Sequence, residues 1–296
     1  MPEPLRIVDP HIHLWDLSTG LYPGLEKPSA GFIGDNTPIA RSYLLNEFLA
    51  EGGADVEILG AVHVEAFPTD PVAETRALQA VADASPIPMA IVGKADLSAP
   101  DLDAVLEHQR AFPAFRGIRQ VLNRHADPRL SYVARDFLHE PAWRRGFRRL
   151  AAHGLSFDLQ LYPHQVPDAA RLAAENPDTP IVLNHAGMWA DRTLAGWRVW
   201  RDGLRRLAAR PNVSLKVSGL GMFDHAWTVE SLRPLVLEAL DAFGPDRAMF
   251  ASNFPVDKLF SDYPTLWRAF SAAVADLSEP ERSALFRGTA KSVYRL

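Results

Sequence analysis

His11 and His13 stand two residues apart in the stretch Ile7-Val8-Asp9-Pro10-His11-Ile12-His13. On an extended segment that spacing turns both rings to the same side. The apolar pair Ile7-Val8 marks a first strand that runs into its loop here. Two imidazoles on one strand face can share a single metal ion. A His-X-His taken alone is weak evidence, and it gains weight only if other strand ends supply further donors. Strand two reads Ala61-Val62-His63-Val64-Glu65 and sets His63 and Glu65 on one face. Strand four carries Gly117-Ile118-Arg119-Gln120, and strand five alternates so that Asp158, Gln160 and Tyr162 fall together. Strand six ends Asn184-His185-Ala186-Gly187, and strand seven places Ser214, Lys216 and Ser218 on one face. Strand eight ends Ser252-Asn253-Phe254-Pro255-Val256-Asp257.

Parallel strands buried on both faces normally read as continuous apolar runs, so this polar alternation needs a cause. A buried charge must be paired, bind a metal or face a solvated pocket. For Asp158, Lys216 and Ser214 the expected cause is structural pairing inside the fold. For His11, His13 and His185 together it is function. His108, His125, His139, His153, His164 and His225 fall in helices or loops and read as surface or capping residues.

The elements that must position these groups follow from periodicity. Strand-like runs occur at 6–9, 58–67, 89–97, 115–122, 155–162, 181–185, 213–220 and 248–253, with helical patterns at 69–84, 100–111, 141–152, 167–174, 193–209 and 229–243. The first of those helices opens Thr69-Asp70-Pro71, a cap followed by proline in the first turn. Eight strands alternating with helices predict a parallel sheet. Within 296 residues and without a linker or sequence repeat, one closed (β/α)₈ TIM barrel spanning 1–296 is the economical α/β solution. An open doubly wound sheet is the alternative, but the first turn carries histidines where such folds usually carry a glycine-rich phosphate loop. The segment 16–47 is a long insertion after strand one, and either a lid or an ordered connection is expected there.

Composition narrows the function classes. The net charge of −5 offers no footprint for nucleic acid or anionic membrane, and the arginine clusters at 144–149 and 198–206 have the spacing of solvated helix faces. With no cysteine, disulfides, thiolate metal sites and a cysteine nucleophile are excluded. The N-terminal residues lack the apolar run of a signal peptide, so a cytoplasmic enzyme acting on a small molecule is expected, with a homodimer as the default assembly.

The motifs DPHIHLWD (9–16), HVEA (63–66), RGIRQVLN (116–123), FDLQLYP (157–163), LNHAGMW (183–189) and FASNFPVD (250–257) together resemble the amidohydrolase superfamily. The resemblance covers essentially the whole chain and is closest to the TIM-barrel lactonases, the L-fuconolactonases and muconolactone hydrolases. It implies one divalent ion, zinc or manganese, held by His11, His13 and His185, with a strand-eight aspartate as general base. Here Asn253 stands at that aspartate position. An asparagine offers a neutral carbonyl oxygen but accepts no proton, so metal affinity is weakened and a metal-free site is the alternative. Asp257 and Glu65 are the replacement carboxylates, Glu65 being equally a partner for Arg119. Without an ion, the imidazoles themselves serve as base, and Arg119 or Lys216 holds the oxyanion. Arg119 suits a substrate carboxylate, Gln160 and Tyr162 suit hydroxyls, and Trp189 suits an apolar wall. The expected activity is lactone hydrolysis. A decarboxylase or hydratase of unsaturated carboxylates, and a non-catalytic binding barrel, are the alternatives.

Overall fold

The computed structural model describes residues 3–27 and 30–296. Eight strands lie side by side in chain order and parallel throughout: β1 (Leu5–Ile12), β2 (Val56–Val64), β3 (Met89–Lys94), β4 (Phe115–Val121), β5 (Ser156–Gln160), β6 (Ile181–Leu183), β7 (Val213–Val217) and β8 (Ala248–Phe250). The helices are α1 (Leu45–Ala50), α2 (Pro71–Ala84), α3 (Leu102–Arg110), α4 (Pro141–Phe147), α5 (Arg149–Ala152), α6 (Val166–Glu175), α7 (Leu194–Ala208), α8 (Val229–Phe243) and α9 (Tyr263–Ala273), followed by short C-terminal helices; the expected helix at 141–152 is split into α4 and α5, and α1 and α9 were not read from the sequence. The alternation thus resolves into the (β/α)₈ barrel rather than the open sheet.

Local chemistry explains the element ends. Asp70 caps α2 by accepting from the backbone of Val72 and Ala73, both at 3.0 Å, with Pro71 in the first turn. On α7 the apolar stripe Trp200, Leu204 and Leu207 is buried, whereas Arg205 reaches Glu238 and Asp241 on α8 across the surface. The arginine clusters are therefore solvated helix faces, as their spacing predicted.

β1 runs three residues past the expected end at Asp9 and takes His11 into the strand. Asp9 is the reason. Its buried carboxylate accepts from His11 N, Ser252 N and the Tyr263 hydroxyl, tying β1 to the end of β8. Two backbone bonds complete the seam, Asn253 N to His11 O and His13 N to Phe254 O, both 2.8 Å. They place Asn253 beside the two histidines at the C-terminal mouth, where barrels of this type carry chemistry.

The described part of the long insertion forms an arm. Trp15 and Tyr43 exchange backbone bonds at 3.1 and 2.9 Å, and the Trp15 indole donates to Arg41 O at 2.6 Å, clasping the arm at its base. It folds back across the mouth, so the connection is also a wall.

Candidate active site

The polar alternation read from the strands divides into two layers. The deeper layer is structural. The Lys216 ammonium and the Asp158 carboxylate, both fully buried, pair across the barrel, and the Tyr294 hydroxyl donates to Asp158 at 2.9 Å. Burial lowers the Lys216 pKa despite its partner. Lys216 does not reach the mouth cavity, so the oxyanion role expected for it is corrected: its charge is committed to Asp158.

The upper layer holds the imidazoles. The His11 ring lies 5.0 Å from that of His13 and 4.6 Å from that of His185, centroid to centroid. His13 Nδ1 donates to Val64 O at 2.7 Å, which leaves Nε2 as the unprotonated nitrogen of the neutral ring. His185 Nδ1 lies 3.0 Å from the Ser218 hydroxyl. Both ring nitrogens of His11 are buried with no partner among the described residues. Burial first, then the nearby cations, Arg119 on all three rings and Lys216 on His11 and His185, with neighbouring imidazoles acting on His11 and His13, hold all three pKa values well below the usual histidine value. The cluster is neutral at ordinary pH, the state in which imidazole binds a metal or accepts a proton.

His185 and Asn253 reach this position because their strands stop early. β6 ends at Leu183 and β8 at Phe250, and both residues adopt left-handed backbone, with φ of 53° and 60°. Phe67, at the end of strand two, does the same with φ of 58°. All three line the mouth cavity, and non-glycine residues held in that region carry strain that concentrates at functional sites. Gly219 is required next to His185: a Cβ there would come 2.6 Å from the ring, and its φ is +64°.

Arg119 enters from β4 and is largely engaged. Its Nε donates to Glu65 Oε1 at 2.7 Å, Nη2 to the Glu65 carbonyl, and Nη1 to Gln160 Oε1 at 3.2 Å. Glu65 therefore resolves as the partner of Arg119 rather than as a base. It also accepts from Phe67 N at 2.8 Å and so pins the loop carrying Phe67. His63 is set behind His13, with ring centroids 6.4 Å apart, accepting from Leu14 N and facing Glu74 at 3.7 Å.

Asp257 lies behind Asn253, not in the cavity. Its oxygens accept from Asn253 Nδ2 at 2.6 Å and from Gly221 N at 3.0 Å. Holding the amide nitrogen orients the side chain of Asn253, so Asp257 acts on Asn253 and is not aimed at substrate. Burial raises its pKa to about 7. The folded value exceeds the unfolded one, so the protonated carboxyl stabilises the fold at low pH and that contribution is lost as pH rises through about 7. Asp257→Asn carries no such charge. Its melting temperature relative to wild type is expected to climb as pH rises from about 5.5 to about 8, read by thermal denaturation at matched ionic strength. A constant offset would show that Asp257 does not titrate there.

The mouth cavity, about 130 Å³, is lined at its base by His13, His185, Asn253, Arg119 and Gln160. The arm closes it with Leu25, Ile33, Asn36 and Ile39, and Trp15, Phe67, Tyr132, Met222 and Val256 complete the sides. Of the residues expected to bind substrate, Arg119 and Gln160 are here and Glu65 adjoins them. Tyr162 and Trp189 are not. They line a separate depression of about 380 Å³ together with His125 and His164. β5 stops at Gln160, so strand alternation no longer directs Tyr162, whose hydroxyl donates to Leu130 O at 2.7 Å. Trp189 follows the left-handed turn after β6 and packs on Trp197 and Trp200 of α7, centroids 4.8 and 5.7 Å apart. The arm residues were missed because their sequence has no periodicity that points them inward.

The donor chemistry suits a borderline-soft divalent ion: three adjacent neutral imidazoles, one with both nitrogens unpartnered. No three His, Cys, Asp or Glu side chains among the described residues are arranged to hold an ion as they stand. The three rings are neighbours, not a preset cage.

A parallel barrel with imidazoles, a paired arginine and a strand-eight polar residue at its C-terminal mouth defines the class of amidohydrolase-type TIM barrels. The Amidohydrolase family profile matches residues 8–296, and the chain belongs to that family of hydrolases. It is 47% identical to the uncharacterized protein y4mH of Sinorhizobium fredii over 99% of both chains. It is 31% identical to an L-fucono-1,5-lactonase of Burkholderia multivorans, over 98% of this chain and 96% of the other. A crystal structure of a Burkholderia multivorans amidohydrolase with bound zinc superposes with a TM-score of 0.82, at 31% identity and covering 98% of this chain and 99% of that one. None of the described helices is long and apolar enough to cross a membrane.

Proposed function

We propose that this protein opens a lactone by adding water across its acyl C–O bond. The observation that carries this reading is the neutral imidazole cluster His11, His13 and His185 gathered beside Arg119. The lactonase relatives support it. Acyl transfer to water needs a base for the nucleophile and donors for the developing oxyanion. His13, with Nδ1 tied to Val64 O, keeps Nε2 free to take a proton from a water that attacks the carbonyl carbon. Arg119 has five N–H donors and spends three on Glu65 and Gln160, which leaves donors for the carbonyl oxygen as it becomes negative. Collapse breaks the ring C–O bond, the imidazolium returns its proton to the leaving alkoxide, and a hydroxy acid results. Asn253 accepts no proton in this scheme; it orients, and Asp257 orients it.

A zinc or manganese ion would be held by His11, His13 and His185 and would supply Lewis-acid polarisation and a more acidic water. The test is a lactone panel followed by acid release, run as purified, after chelation and after adding zinc back. Turnover on at least one lactone is expected. Loss on chelation with recovery on zinc assigns the water's activation to the ion, and chelator-resistant turnover assigns it to the imidazoles. No turnover on any lactone, with or without zinc, overturns the reading.

A further inference from the structure

Resting on the lactonase reading, we infer that the substrate is a small, uncharged lactone with an apolar substituent rather than a sugar or carboxylated lactone. Three observations carry this. The first is charge. Arg119 is the one cationic side chain lining the mouth cavity among the described residues, and it is ion-paired to Glu65 at 2.7 Å with the barrel wall excluding solvent. A substrate carboxylate would meet a guanidinium already neutralised, beside Glu65 itself. Two carboxylates sharing one buried cation repel, so a second anion is disfavoured.

The second is the distribution of polar groups. The donors and acceptors of His13, His185, Asn253, Arg119 and Gln160 converge on the cavity base, where the ester group must lie. The opposite wall is mainly apolar: Leu25, Ile33 and Ile39 from the arm, with Trp15, Met222 and Val256 beside them and Tyr132 the one hydroxyl-bearing side chain among the lining residues. Asn36 is the one polar side chain that the described part of the arm adds to this wall. The ring of an aldonolactone carries several hydroxyls. Each one pressed against such a wall without a partner loses its hydrogen bonds to water and weakens binding. An alkyl group there gains from burial instead.

The third is size. The cavity of about 130 Å³ compares with a cavity of about 150 Å³ that takes benzene. A single six-membered ring is of that order of size, so any substituent on it must be short, with the carbonyl at the imidazoles and the substituent under the arm.

The experiment compares three lactones by acid release with the spontaneous rate subtracted: δ-hexalactone, an aldono-1,5-lactone and muconolactone. For δ-hexalactone, kcat/KM is expected at least about tenfold above the other two, which corresponds to about 1.4 kcal/mol. Ile39→Asn is expected to narrow that ratio while leaving His13 and Arg119 in place. A preference for the aldonolactone or for muconolactone overturns this inference and leaves the lactonase reading standing. If none is hydrolysed, with or without added zinc, the lactonase reading fails, and thermal shift decides the cavity's preference separately. Stabilisation by δ-hexalactone and not by the aldonolactone supports an apolar cavity; the reverse, or no shift with δ-hexalactone, overturns it.

Discussion

His13→Ala is expected to lower kcat/KM for lactone hydrolysis by about 10²–10⁴-fold, the range for removing a positioned general base, while the barrel still folds. His13 lines the cavity, its Nδ1 is fixed on Val64 O, and its Nε2 is the proton acceptor nearest the ester in the scheme above. Burial and neighbouring cations keep it neutral. The loss should fall on kcat rather than KM, because the proton is transferred only as water attacks. His13→Gln is the informative companion, since it retains volume and a donor toward Val64 O but provides no basic nitrogen. If His13→Gln retains wild-type kcat, His13 is not the base. Circular dichroism on both variants separates loss of chemistry from loss of fold.

The largest effect on stability is expected at Lys216. Lys216→Met leaves the fully buried Asp158 carboxylate with, among the described residues, the Tyr294 hydroxyl as its remaining side-chain partner. Removing one member of a buried ion pair costs about 3–5 kcal/mol. Replacing both, as Lys216→Met with Asp158→Leu, restores well-packed neutral groups and is expected to recover much of that loss. Urea denaturation of the two single variants and the double variant closes the cycle. If Lys216→Met loses turnover with no loss of stability, Lys216 belongs to the chemistry rather than to the barrel's interior.

The two predictions sit on different layers of one barrel, and the sequence distinguishes those layers unevenly. All eight strands were legible because short β-branched runs separated by amphipathic helices leave few alternatives, and the structure extends or trims each by a few residues. The histidines at strand ends one and six were legible because a strand's end fixes the side of the barrel. Pairing was not. Glu65 could be read as a base or as the partner of Arg119, 54 positions away, and only the barrel, which brings the ends of β2 and β4 within reach of each other across β3, decides between them. Asp257 reads as a spare carboxylate in the chain and becomes the group that holds Asn253 once the left-handed turn at Asn253 folds it back. Tyr162 and Trp189 read as cavity residues and leave for another face, because strand alternation ends before them.

By itself, then, the sequence determined the alternation of elements, the absence of thiol chemistry and the imidazoles at the mouth, since these depend on residue type and local period. The tertiary structure decided which charges cancel, that neither Glu65 nor Asp257 lines the cavity, and what lines the cavity's outer wall. Those depend on contacts between residues far apart in the chain. Burial then sets the result: a charge with a partner is structural, and the neutral rings left facing the cavity are available for reaction.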